Sequence, residues 1–172
     1  MATEATRQAG PHPGLLDWLT AHHVDYELHE HLETFTAEAT ARAEHLDPRR
    51  FAKVVGVATA DGRSALLVVD APDHVDLAKA KRVLGATDAR IMGEAEFAAV
   101  APDCEPGTAP PVPEVCRVPV YADFALRDVP EIAFHAGSHR HTVHVDRVAW
   151  EREAGIAYAD LALDDGTPAW AR

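Results

Sequence analysis

Cysteine is scarce in this chain: its 172 residues include two, Cys104 and Cys116. Twelve positions apart and lacking any CxxC pairing, they support neither a zinc finger nor a disulfide scaffold, and they read as ordinary reduced thiols. Long apolar runs are absent as well. No stretch approaches the roughly 18 consecutive apolar residues of a membrane span. The opening MATEATRQAGPHPG has neither the basic start nor the apolar core of a signal peptide. A soluble, cytoplasmic protein with no membrane partner is expected. Positive charge is also in deficit, with 16 Lys and Arg against 28 Asp and Glu and a formal net charge of -12. That balance excludes a broad electrostatic footprint on long nucleic acid, because phosphate contacts need clustered cations. Two short runs could still form a local basic mouth: Arg49, Arg50 and Lys53, and then Lys79, Lys81 and Arg82. Both runs fit a solvated surface equally. Finally, no hydrolase nucleophile elbow, Walker loop or Rossmann glycine pattern is present. Ser138 therefore has no visible reason to be a nucleophile, and any hydrolysis would use water.

What is present is enough apolar sequence, 47 % of residues, to build one core in one domain. Residues 1–12 read as a mobile arm, 13–163 as a single domain, and 164–172 as a peripheral tail. Leu15, Leu16, Trp18, Leu19 and His22 follow helical spacing over 14–23. Val24, Tyr26 and Leu28 then alternate with Asp25 and Glu27, which predicts a half-buried strand over 24–31. Thr36 can start a helix running to about residue 45. The clearest element is a β-hairpin, 51–59 pairing with 64–70 around Asp61-Gly62. A helix over 73–84 stops at Gly85, and a short strand at 89–92 precedes a helix at 94–100. One Gly and five Pro make 101–117 a loop. Strands at 118–122, 131–135 and 141–145 and a helix at 146–153 complete the domain. Helices interleaved with hairpin strands favour a mixed sheet with helices packed around it, an α/β chain of α+β type.

Three places could carry chemistry. Lys53 interrupts the apolar strand FAKVVGVA, where a lysine needs a partner or a route to water. It fits an edge-strand lysine that snorkels, or a cation held in a pocket to grip phosphate or the ribose end of a nucleotide. In CEPGTAPPVP, Gly107 and Pro111 set a GxxxP spacing. The glycine admits a close ligand and the prolines restrict the chain, so the N–H groups around Thr108 and Ala109 could act as an oxyanion hole. The same composition also fits a plain loop. In IAFHAGSHRHTVHV, His135, His139, His141 and His144 surround Gly137-Ser138. They fit a surface turn, one histidine reaching a pocket, or a metal site that lacks a supporting carboxylate or cysteine nearby. His29 and His31 form a second HxH pair of the same kind.

Taken in order, LHEHLETFTAEATA, FAKVVGV, VDLAKAKRVLGA, MGEAEF, PDCEPGTAPP, VPVYAD and IAFHAGSH resemble the YbaK/EbsC or prolyl-tRNA synthetase editing-domain superfamily, over roughly 13–150. The resemblance implies a mixed, barrel-like sheet flanked by helices, and hydrolysis of mischarged aminoacyl-tRNA in trans with no cofactor and no metal. It carries the family's lysine onto Lys53 and its GxxxP loop onto Gly107, Thr108, Ala109, Pro110 and Pro111. The early family histidine falls on His31, the pocket histidine of the alanine-specific branch on His135, and the AG turn on Gly137, followed by Ser138. Two departures stand out. Some branches have asparagine directly after the lysine where this chain has Val54, and AGSH differs from the alanine-specific pattern. The implied partners are the 3′-terminal adenosine of aminoacyl-tRNA and an aminoacyl-tRNA synthetase; the implied substrate is tRNA wrongly bearing alanine, serine or cysteine, with alanine favoured by His135. Rival readings are a same-fold hydrolase acting on another acyl group, a non-catalytic binding module, and a metal protein built on the histidine cluster.

Overall fold

The computed structural model describes residues 10–164. Most of the expected arm and all but the first residue of the expected tail lie outside that range. Helix α1, Pro13–Ala21, opens with proline at its start, where a missing N–H costs nothing, and buries Leu15, Trp18 and Leu19. His12, inside the expected arm, caps this helix and donates its backbone N–H to the Ala136 carbonyl at 2.7 Å. Strand β1, Tyr26–Glu30, is followed by helix α2, Ala37–Ala43, whose first turn is capped by the Thr36 hydroxyl. The hairpin strands β2, Ala52–Ala58, and β3, Ser64–Asp70, pair in full antiparallel register from Ala52↔Asp70 to Ala58↔Ser64.

Helix α3, Leu77–Leu84, starts four residues later than the sequence pattern suggests, because Asp76 leaves the helix to cap it, accepting from Ala78 and Lys79 N–H. Strand β4, Arg90–Ile91, and helix α4, Glu94–Val100, follow. Within the proline-rich 101–117 segment lies a short helix, α5, Pro113–Cys116, which the punctuation had hidden. Pro113 opens that helix rather than breaking it. Strands β5, Val120–Asp123, β6, Glu131–Ser138, and β7, His141–Asp146, precede helix α6, Arg147–Ala154, and strand β8, Ala157–Ala159.

The strands form two sheets, β1-β7-β6 and β4-β2-β3-β5-β8. The larger is mixed: β2 and β3 are antiparallel, while β3-β5 and β5-β8 are parallel. Where the two sheets meet, one isolated bridge joins Phe51 to Ala133. The expected barrel-like closure is therefore not formed. The reason is local: on its outer edge β2 meets β4 through Val57 and Ala58 and β6 only at Phe51, leaving 52–55 without a strand partner on that side.

Strand β3 is apolar on both faces because both are covered. Leu66 and Val68 face the main core with Phe134, Val143 and Trp150. Ala65, Leu67 and Val69 pack instead against Ala80 of α3 and Leu161. Each fully buried Leu or Val here contributes roughly 1.5–3 kcal/mol relative to exposure. Strand β1 departs from expectation, since its alternation does not mark a half-buried strand. It is the outer strand of the small sheet, and Tyr26 and Leu28 are exposed. Among the described residues no helix is long and apolar enough to cross a membrane.

Candidate active site

The gap beside β2 opens into a cavity of ≈ 630 Å³. Lys53, Val54 and Gly56 form one wall, Thr36 to Glu38 at the start of α2 another, and His135 and Gly107 also line it. Gly56 lets Met92 and Phe97 pack close to the strand: a Cβ there would lie 2.7 Å from the Met92 sulfur and 3.1 Å from the Phe97 ring, and those side chains would have to shift. Gly56 O accepts from Met92 N–H at 2.9 Å, so by the two-residue alternation of a strand the N–H and C=O of Val54 point along the same unpaired edge.

Lys53 is not a snorkelling edge lysine. Its ammonium donates to the Ala71 carbonyl at 3.1 Å and to the Asp73 carbonyl. An ammonium has three N–H donors, so one remains for a ligand. Burial lowers its pKa from the ordinary lysine value, against the opposing charges of Glu38, Asp73 and Asp70. Beneath it, Asp70 is pushed up to about 6 by burial and by the Asp73 carboxyl, although Arg49 bonds it at 2.7 Å. The first basic run and Lys79 of the second are thus engaged internally. Arg50 pairs with Glu131 at 2.6 Å, and Lys79 is a buried tie to Asp160 and the Ala162 carbonyl rather than part of a solvated surface.

His135 is 7 % exposed, with Nε2 3.1 Å from the Thr40 hydroxyl and its ring edge-on to Phe51. Thr40 also reaches the Thr36 carbonyl at 2.9 Å and the Thr34 hydroxyl at 2.7 Å, so His135 joins a network of neutral groups. Burial pushes this ring down to about 4, helped by the fields of His139 and His31 and opposed by Glu44. It is neutral at pH 7, and a weak base.

The GxxxP segment is held rigidly. Glu105 to Thr108 form a turn closed by Thr108 N–H to Glu105 O at 3.1 Å, with Pro106 and Gly107 (φ 80°) in the positions that such a turn favours. Gly137 locks it from behind, donating to Thr108 O and accepting from Glu105 N–H, both at 3.0 Å. The Trp150 indole donates to the Pro111 carbonyl at 2.9 Å. Thr108, Ala109 and Pro111 are buried behind the wall, and the Thr108 N–H is committed to the turn. Gly107 lines the cavity, and its N–H bonds to no described residue.

The remaining residues singled out in the sequence stand apart from the cavity. Ser138 is fully buried, sharing a 2.7 Å bond with His141 Nδ1 and accepting from Arg140 N–H, so it locks the β6–β7 turn. His31 places Nδ1 2.7 Å from Leu32 O and buries Nε2 with no partner among the described residues. Both cysteines are free and burial pushes their thiols up to about 12, which keeps them inert. Sequence reasoning missed Glu38, His74, Phe97 and the exposed Phe35 and Ile91 at the cavity. Only tertiary folding brings them there.

A family model described as an aminoacyl-tRNA editing domain matches residues 31–152. Among solved structures, a candidate trans-editing enzyme for prolyl-tRNA synthetase aligns with TM-score 0.76 and 22 % identity, covering 90 % of this chain and 100 % of that one. A hypothetical protein aligns at 0.79 and 16 %, covering 87 % and 99 %. A scaffold from computational epitope grafting aligns at 0.73 and 23 %, covering 89 % and 99 %. No curated protein sequence matches the chain.

Proposed function

Because the chain belongs to the aminoacyl-tRNA editing-domain family, we propose that its cavity hydrolyses, in trans, the ester joining a small, wrongly attached amino acid to tRNA. The observation that carries this reading is the convergence on one lining of a carbonyl-anchored ammonium, Lys53, and an unengaged backbone donor, Gly107 N–H. The remaining proton of Lys53 takes the terminal phosphate or ribose. Val54 offers backbone groups to the adenosine, and Phe35 and Ile91 offer apolar rims to its base. The ester carbonyl lies against Gly107 N–H, a fixed dipole that stabilises the oxyanion. Water attacks the carbonyl carbon, the carbon–oxygen ester bond breaks, and the ribose oxygen takes up the proton, releasing free amino acid and tRNA. His135, held near pKa 4, neither accepts that proton well nor donates one at pH 7. The substrate's ribose 2′-hydroxyl therefore assists the water, and the loop supplies position and field.

Alanine is the favoured amino acid, with serine and cysteine next. His135 lines the cavity with Phe51 packed edge-on behind it, and this backed wall limits the side chain admitted, as a second sieve does. With net charge -12 and Arg49, Arg50 and Lys79 paired internally, the chain contacts the acceptor end and leaves the tRNA body to an aminoacyl-tRNA synthetase partner.

The test is amino-acid release from alanyl-, seryl- and cysteinyl-tRNA by wild type and Lys53→Ala. Turnover of one substrate, lost in the variant, is expected. A protein that turns over none of them is not a deacylase of small aminoacyl-tRNA, and binding without turnover would make it a binding module.

A further inference from the structure

At the end of α2 away from the cavity, three side chains from distant parts of the chain converge. Glu44 caps the helix with its side chain 4 % exposed, His144 comes from β7 at 8 %, and His29 from β1 at 38 %. Strands β1 and β7 are paired so that His29 lies opposite Thr142 and Glu27 opposite His144. The two imidazoles are therefore diagonal neighbours, stacked with centroids 4.1 Å apart and planes 24° from parallel. One ligand atom from each of His29, Glu44 and His144 lies within 4.8 Å of the other two. His144 Nε2 is 3.0 Å from Glu44 Oε2, and His29 Nδ1 is 3.5 Å from Glu44 Oε1.

The outer nitrogens complete the pattern. His29 Nε2 lies 3.1 Å from Glu27 Oε2, and His144 Nδ1 lies 3.7 Å from Glu131 Oε1. Each ring thus turns one nitrogen toward Glu44 and the other toward a separate carboxylate. That is how metal-binding histidines have their tautomer fixed and their basicity raised. Thr142 donates to Glu44 Oε1 and orients the carboxylate in turn. A plain ion pair accounts for His144 and Glu44 but gives no reason for a second imidazole stacked on the first.

We infer that His29, Glu44 and His144 bind a first-row transition-metal dication of the zinc class, through Nδ1, the carboxylate and Nε2, with a further position open to water. Two imidazoles and one carboxylate suit zinc, cobalt or nickel rather than magnesium or calcium. The ion would join β1, the exposed outer strand, to α2 and β7.

The experiment uses the untagged full chain stripped by chelation, with cobalt(II) as probe. One cobalt per chain, visible ligand-field absorption, loss of that absorption when zinc is added, and a metal-dependent rise in melting temperature are expected. Glu44→Gln and His29→Gln should each weaken binding at least about tenfold, and Glu27→Gln, which touches only an outer nitrogen, by about tenfold. Half-exposed His29 makes its variant safe for folding, checked by melting without metal. Absence of saturable binding, or binding of unchanged stoichiometry and affinity in His29→Gln, overturns the site. Neither result bears on tRNA deacylation, which is read separately.

Discussion

Two histidines on adjacent strands are similarly screened from solvent, His135 at 7 % and His144 at 8 % exposure, yet their pKa values move in opposite directions. Burial lowers both. At His135 the neighbouring fields of His139 and His31 add to burial, the hydrogen-bond partner is the neutral Thr40, and the ring falls to about 4. At His144 burial is outweighed by the hydrogen bond and charge of Glu44, and the ring rises above its ordinary 6.5. They meet α2 about one turn apart, His135 at Thr40 and His144 at Glu44. About one turn of helix thus separates a cavity that keeps its histidine neutral from a cluster that keeps its histidine paired with carboxylate. The α2 residue that each ring meets, together with the deeper burial of His135, decides which chemistry each can do.

The largest effect expected from perturbing the cavity end is on catalysis. Lys53→Ala should lower deacylation about 100-fold, roughly 3 kcal/mol of transition-state free energy, in single-turnover release assays. A comparable loss in kcat from a change confined to the cluster end would erase the functional contrast. Next comes stability. His135 has a folded pKa of about 4 against 6.5, so its contribution is fully present above pH 6.5 and is lost as pH falls through 4. That window is worth about 3 kcal/mol. His135→Gln should flatten this slope in urea unfolding measured between pH 4 and 7, and an unchanged slope would mean the ring is not held neutral. His144, raised instead, contributes in the opposite sense, present below 6.5 and lost as pH rises through its folded value.

The contrast can also be reversed by design. Thr40→Asp gives His135 the carboxylate that His144 already has, and its pKa should rise by about 1–3 units in an NMR titration. No rise would show that burial, not partner chemistry, controls the pair. The smallest effect belongs to the rim: Phe35→Ala should raise KM a few-fold, about 1 kcal/mol, with kcat unchanged. An equal fall in kcat would place Phe35 closer to the reacting bond.

Local signals carried the hairpin almost to the residue, 51–59 and 64–70 against Ala52–Ala58 and Ser64–Asp70, because both strands are buried and Asp61-Gly62 closes the turn. The same alternation misled at Tyr26 and Leu28, since periodicity reports which residues share a face but not whether anything covers it. Strand β8, three residues long, is defined by its parallel partner β5 and leaves no pattern of its own. At the site, Lys53 stood out as a charge in an apolar strand, and Gly107 and His135 as resemblances. The commitment of Thr108 N–H to a turn was not visible, because it depends on Gly137 and Glu105 meeting in space. The metal-ligating group was further out of reach: Glu44 and His144 are 100 positions apart, and residues 132–145 contain no carboxylate.

The interrupted edge of β2 has one more consequence. Unpaired backbone beside an apolar strand is the standard template on which another chain can add a strand and start an aggregate. Here the exposed stretch covers only residues 52–55, bounded by the bridge at Phe51 and the β4 pairing at Val57. Such a gap is too short to seat a typical strand of five or six residues, roughly 17–20 Å. Shortening β4 would lengthen the gap, so changes around Arg90 and Ile91 are where self-association would first appear.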